Sequence, residues 1–178
     1  DDVGAFQAVS RDRGLALNER QVAELVTLKG IKLQEMLHAG DVLFPGAADF
    51  IREAAKAVPI AVASGALRHE IDEILEAAGL APLFVTIVAS GETPQSKPDP
   101  APYRLAFERL RERTPGLEAW RCVAIEDSRW GLESASGAGL RCVGVTNSYP
   151  AAELQGAELV VDGLRSLTVE QLDTFIGS

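Results

Sequence analysis

The sequence predicts an α/β fold, a Rossmann-like parallel sheet with helices on both faces, joined to a smaller all-helical unit at its N-terminal end. Three observations carry this. From Gly46 onward, short apolar runs alternate with amphipathic stretches of helical period, as in strands wound into a parallel sheet through right-handed crossovers. Each strand-like run from residue 59 to residue 145 ends in small or polar residues, at Ser64-Gly65, Ser90-Gly91, Glu126-Asp127 and Thr146-Asn147. The first 39 residues, by contrast, hold no strand pattern.

Residues 1–39 read as helical. Asn18 is a good N-cap, and Val22, Leu25, Leu28, Leu33, Met36 and Leu37 recur at roughly helical spacing. Gly40 and the turn-forming Phe44-Pro45-Gly46 divide residues 1–41 from residues 42–178. Residues 47–57 predict a helix with Phe50 and Ile51 on its inner face, closed by Pro59. A strand follows over 59–63, then a helix marked by Leu67, Ile71, Ile74, Leu75 and Ala78 that stops at Gly79. Residues 84–89 are the next strand, and a polar loop over 92–100 leads into a helix with Tyr103, Leu105, Ala106, Phe107 and Leu110. After Pro115-Gly116 come a strand over 121–125 and a helix over 129–138, with Ser128 as N-cap and Gly139 closing it. A strand over 141–145, a short strand over 159–161 and a helix over 169–176 complete the pattern.

The 178 residues suffice for a real core, and 47% hydrophobic with 24% charged residues is the composition of a soluble globular protein. No apolar run approaches the roughly 20 residues of a spanning helix. The 17 basic against 26 acidic residues give a net charge of −9, which argues against a nucleic-acid or anionic-membrane surface. An anionic substrate must then be drawn by a local cationic spot. The two cysteines, Cys122 and Cys142, stand at matching places in RCVAIED and RCVGVTN. Both are expected as buried free thiols in neighbouring strands, in keeping with a reducing cytoplasm.

In open parallel sheets ligands bind beyond the carboxyl ends of the strands, so the rim is the expected site. Glu126 and Asp127 are adjacent carboxylates at such an end. They repel each other unless a cation lies between them, and a hard divalent ion with oxygen ligands suits them. A plainer reading has Asp127 helping to cap the following helix and Glu126 solvated. Ser64, Gly65 and Ala66 precede a helix whose first N–H groups, with the Ser64 hydroxyl, form an anion-receiving surface; the plainer reading is an ordinary serine cap. Arg68 in that helix's first turn opposes the dipole and hints at an anionic partner. Lys97 sits in SKPDPAPY, where Pro98 and Pro100 stiffen the loop, so its ammonium can pair with both a phosphate oxygen and a carboxylate. Asp99 reads as a turn residue, and Lys29 and Lys32 as solvated face residues of a helix.

A strand-end serine, a loop lysine and an acidic pair before a helix, in that order, resemble the second, third and fourth motifs of the haloacid dehalogenase superfamily. FPGAADFI, VASGALRHEI, SKPDPAPY and IEDSRWGLESASGAG look like its β-phosphoglucomutase and phosphoglycolate phosphatase subgroup, whose members carry a helical cap. The resemblance implies a haloacid dehalogenase-like core over 42–178, a partial helical cap over 1–41, and a Mg²⁺-dependent phosphoryl-transfer site. In that family an aspartate attacks phosphorus to form an aspartyl-phosphate, and a second aspartate two residues later acts as general acid and base. Carried onto this chain, Glu126 and Asp127 hold the metal, while Ser64, Gly65, Ala66 and Lys97 bind the phosphoryl group. Lys97 also neutralises charge at the nucleophile, and Lys29 falls where capped relatives place a substrate-contacting lysine.

The family's first motif, DxDx(T/V), has no counterpart. No apolar strand precedes Asp1-Asp2, so that pair is not the motif. The nucleophile, the acid/base and the first metal ligand are therefore expected outside these residues, together with the central strand that carries them. Its neighbours would lose ladder partners. The expectation is a longer protein, with the N-terminal piece cleaved, supplied by a complementing chain, or lying beyond the residues given. The intact protein is expected to be a phosphatase of a small phosphorylated metabolite. The alternatives are a β-phosphoglucomutase-type sugar-phosphate mutase and, for these residues alone, a non-catalytic binding domain. A dehalogenase fits less well, because that branch needs no divalent cation.

Overall fold

The structure, a computed structural model, describes residues 2–40 and 42–177. Asp1, the predicted boundary residue Asp41 and Ser178 lie outside the described residues.

Two helices open the chain, α1 (Asp2–Asp12) and α2 (Glu19–Ala39), packed on each other. Asn18 caps α2 as its residue type predicts: its side chain accepts the Gln21 N–H at 2.9 Å while Gln21 returns a bond to the Asn18 N–H at 3.0 Å. Gly40, at φ 72°, ends the helix in the left-handed conformation. Among the described residues, no helix is long and apolar enough to cross a membrane.

The remainder alternates as expected, through α3 (Ala47–Ala57), β1 (Ile60–Ala63), α4 (Arg68–Ala77), β2 (Phe84–Val88), α5 (Ala101–Arg113), β3 (Val123–Glu126), α6 (Arg129–Gly137), β4 (Arg141–Val145), β5 (Leu159–Val161) and α7 (Val169–Gly177). Every strand pair is parallel, β1 with β2 and β3 with β4 with β5. These form two sheets rather than one, and among the described residues no ladder joins β1 to β3.

One apolar cluster lies against each sheet. Ile71, Leu75, Leu80, Ile87 and Ala89 form the first, with Ile51 packed at its margin. Tyr103, Ala124, Leu132, Ala135, Cys142 and Leu154 form the second, and Ala63 of β1 packs against it. α5 rests on β1 and β2, α6 rests on β3 and β4, and the two helices touch, which ties the sheets together.

Three expectations shift. β3 begins at Val123 because Ala119–Arg121 turn as a 3₁₀ helix, so Glu126 is the last strand residue instead of the first beyond it. Cys122 therefore precedes the strand and is half-buried, while Cys142 in β4 is buried as predicted; both thiols are free. On α3 the fully buried residues are Ala47 and Ala54, while Phe50 and Ile51 of the expected inner face are half-buried, Ile51 against the first cluster.

Candidate functional site

The carboxyl ends of β1 and β3 meet at one side chain. Lys97, on the loop after β2, donates from Nζ to the carbonyl of Ala63, the last residue of β1, at 2.8 Å. The same ammonium pairs with Glu126 Oε1 at the end of β3. The lysine side chain is 18% exposed and the glutamate 8%. The stiff proline loop predicted for this lysine is also anchored elsewhere. Asp99 takes the Ala101 N–H at 2.8 Å, as a turn residue does, and its carbonyl accepts the Ser134 hydroxyl of α6 at 2.6 Å.

Glu126 has a further partner that sequence reasoning missed. The Tyr103 hydroxyl donates to Oε1 at 2.6 Å, and Lys97 Nζ stands 4.8 Å from the centre of the tyrosine ring. Burial first, and then the Glu126 charge and bond, hold the phenol's pKa well above its ordinary value, so it remains a donor. A second missed residue is Gly131. A Cβ there would stand 1.9 Å from Glu126 Oε2. A glycine inside a helical stretch costs about 1 kcal/mol relative to alanine, and that anomaly in DSRWGLES is the signal that marks the close approach.

Asp127 turns elsewhere. Its Oδ2 accepts the hydroxyl of Ser148, on the loop after β4. The repulsion between the adjacent carboxylates is thus relieved inside the fold, by an ammonium on Glu126 and a hydroxyl on Asp127. Ser128 caps α6 as predicted, its Oγ accepting the Gly131 N–H at 3.1 Å.

At the end of β1, Ser64 donates its N–H to Val88 at 2.9 Å, and its Oγ accepts the Ala66 N–H at 3.1 Å. The Leu67 N–H is taken by Glu70 at 3.1 Å. Two of the N–H groups expected to receive an anion are thus occupied, while the Ser64 hydroxyl proton has no acceptor among the described residues. Arg68 needs no outside anion, because Asp72 at 3.0 Å and Glu92 at 3.7 Å answer its charge. Lys29 is not a solvated face residue either: its Nζ reaches the nearly buried Glu70 at 3.0 Å and ties α2 to α4. Lys32, which pairs with Glu35 at 2.8 Å on the exposed face, fits the plain reading.

No group of three or more His, Cys, Asp or Glu side chains able to hold a metal ion occurs among the described residues. The donor chemistry at Glu126 and Asp127 nevertheless suits Mg²⁺. Among the described residues Glu126 Oε2 receives one long hydrogen bond, from the Ser128 hydroxyl at 3.4 Å. Asp127 Oδ1 receives no hydrogen bond among the described residues. One or two carboxylates, completed by water and phosphate oxygens, is the ordinary provision for that ion.

A family model for haloacid dehalogenase-like hydrolases matches residues 4–139. Protein CbbY of Rhodobacter capsulatus is 35% identical over 141 residues, covering 76% of this chain and 60% of that protein. A phosphoglycolate phosphatase of Pseudomonas fluorescens is 30% identical over 142 residues, covering 77% of this chain and 50% of the relative. The chain thus spans about half to three-fifths of the length of these relatives. A crystal structure of a CbbY mutant from Rhodobacter sphaeroides with xylulose-1,5-bisphosphate superposes with a TM-score of 0.74 at 30% identity, over 88% of this chain and 71% of that one. The chain therefore belongs to the haloacid dehalogenase-like hydrolases, among the CbbY- and phosphoglycolate-phosphatase-like members.

Proposed function

We propose that these residues form most of a Mg²⁺-dependent phosphatase acting on a small phosphorylated metabolite of the sugar-phosphate or phosphoglycolate type. The observation that carries the reading is the Lys97–Glu126 pair joining the ends of β1 and β3. Ser64 follows β1 directly, and Asp127 follows β3. Ser64, Gly65 and Lys97 bind the phosphoryl group, the serine through its hydroxyl proton and the lysine through an ammonium held where water has little access. The Ala66 N–H, expected to join them, instead holds Ser64 Oγ in place. A fixed positive charge in such surroundings stabilises charge on phosphoryl oxygens far better than one in bulk water. Glu126 and Asp127 hold Mg²⁺, which when bound neutralises phosphoryl charge. Ser148 keeps Asp127 in place.

Residues 1–41 belong to a helical cap and residues 42–178 to the core, with Lys29 on the cap's substrate side. The nucleophile and the acid/base come from a parallel strand outside these residues, paired between β1 and β3 and carried by a further segment or a complementing chain. Two features support that strand. Neither β1 nor β3 has a ladder partner on its second edge among the described residues. All four residues of β1 are apolar yet half-buried. The substrate class is supported by the bisphosphate sugar bound to the CbbY mutant and by the phosphoglycolate phosphatase relative. Free thiols suit a reducing compartment, and we place the enzyme in the cytoplasm.

The test is phosphate release from p-nitrophenyl phosphate, xylulose 1,5-bisphosphate and phosphoglycolate by the full-length protein, with Mg²⁺ and after chelation. Release that needs Mg²⁺ supports the reading. No release from any ester overturns it, and interconversion of glucose phosphates without net release indicates a mutase instead.

A further inference from the structure

A carboxylate with one donor partner can rotate about its last carbon–carbon bond and offer either oxygen. Glu126 has two donors converging on the same atom. The Lys97 ammonium and the Tyr103 hydroxyl, the latter at 2.6 Å, both reach Oε1. The phenol comes from α5 and the ammonium from the preceding loop, so they approach along different lines and fix the rotation. Oε2 is left over the bare Cα of Gly131, where a side chain would stand 1.9 Å away. The ammonium is similarly committed. It carries three protons, and among the described residues Ala63 O at 2.8 Å and Glu126 Oε1 take two of them. Tyr103 itself is 8% exposed, with its ring beneath the ammonium at 4.8 Å.

We infer that Tyr103 is a positioning residue that locks the Lys97–Glu126 pair, so that one ammonium proton stays available to a phosphoryl oxygen and Glu126 Oε2 to a cation. The inference rests on the phosphatase reading for its consequence, though not for its geometry. Without the phenol only the long contact from the Ser128 hydroxyl to Oε2, at 3.4 Å, opposes rotation. Glu126 can then turn to grip the ammonium through both oxygens, which spends the carboxylate oxygen and the proton on each other. Neither group would be lost from the molecule, yet neither would be presented to ligand.

The test is Tyr103→Phe in the full-length protein, which keeps the ring and its packing. Three quantities are compared with wild type. Mg²⁺ affinity, read by calorimetry without substrate, is expected to fall about 10-fold or more, the usual size for losing a group that orients a ligand. kcat/KM for p-nitrophenyl phosphate is expected to fall by a similar factor. The nitrogen-15 signal of the Lys97 ammonium is expected to be sharp in wild type, through slow exchange of its protons, and to broaden in the variant. A variant that binds Mg²⁺, turns over and shows the ammonium signal as wild type does overturns the inference. So does a wild-type protein with no slowly exchanging Lys97 ammonium, which makes the test independent of how well the variant folds. If wild type releases no phosphate from any ester, the phosphatase reading fails by itself. A signal that sharpens in wild type and broadens in Tyr103→Phe then still supports the locking role.

Discussion

A methyl group at Gly131 would stand 1.9 Å from Glu126 Oε2, closer than any non-bonded contact allows. Gly131→Ala must therefore push the carboxylate off Lys97 and Tyr103 or shift the first turn of α6. Overpacking of this kind costs about 1–3 kcal/mol, so the melting temperature should drop by several degrees and activity with it; a melt unchanged from wild type would speak against the close approach. The two thiols make a second residue-scale case. Burial, then the charges of Glu158 and Glu126, push Cys142 up to about 11, so it carries almost no thiolate at neutral pH. An aromatic disulfide reagent should leave Cys142 untouched in the native protein and reach it after denaturation, and rapid native labelling would contradict that burial. At this scale the sequence showed the chemistry but not the partners. Lys97, Ser64 and Asp127 stood out because their residue types suit phosphate and metal. Tyr103 did not, because an aromatic on a helix reads as core, and nothing local reveals that its hydroxyl meets a carboxylate 23 positions away.

The elements were more legible than their ends. Asn18, Gly40, Ser128 and Gly139 punctuate helices through local hydrogen bonding and a left-handed backbone, so boundaries near them fell where expected. β3 slipped because the strand expected from Arg121 begins only at Val123: Arg121 ends a 3₁₀ turn and Cys122 is its exit. Residue type alone does not separate strand from turn there: Cys122 is half-buried like the strand that follows, while Arg121 is exposed. The end of β2 depends on charge instead. Glu92 accepts the Ala89 N–H at 3.0 Å and pairs with Arg109 at 2.9 Å, with Arg68 farther off at 3.7 Å. Burial raises its pKa, but the Ala89 bond and the two guanidinium groups outweigh it and hold the carboxyl below the ordinary 4.5. The folded state thus takes up this proton less readily than the unfolded chain. The stabilisation is fully present above about pH 4.5 and is lost as pH falls through the lower folded value. Wild type should therefore exceed Glu92→Gln in urea midpoint at neutral pH, and the gap should close in acid. A gap that widens on acidification would contradict the sign.

At the scale of the whole molecule, the parallel winding was readable from alternation alone, but the division into two sheets was not visible in any local pattern. Which strands pair is a long-range property, and here it turns on a ladder that the described residues do not make between β1 and β3. If a strand from outside these residues occupies that gap, amides of β1 and β3 should exchange slowly in the full-length protein. In these residues alone they should exchange much faster than those of β4, whose neighbours are both present. Equal protection in the two cases would remove the gap as a docking place. The site is likewise a property of the whole, since Lys97 and Tyr103 meet Glu126, and Ser148 meets Asp127, only through the fold.

The most direct single measurement is Mg²⁺-dependent hydrolysis of p-nitrophenyl phosphate by full-length Asp127→Asn. The substitution keeps the side chain's shape and its contact to Ser148 but removes the charge at the end of β3 that we propose holds Mg²⁺. Turnover should fall by about 100-fold or more, with a melting temperature close to wild type. Wild-type turnover at the same Mg²⁺ concentration would contradict a metal-assisted phosphoryl site at this rim.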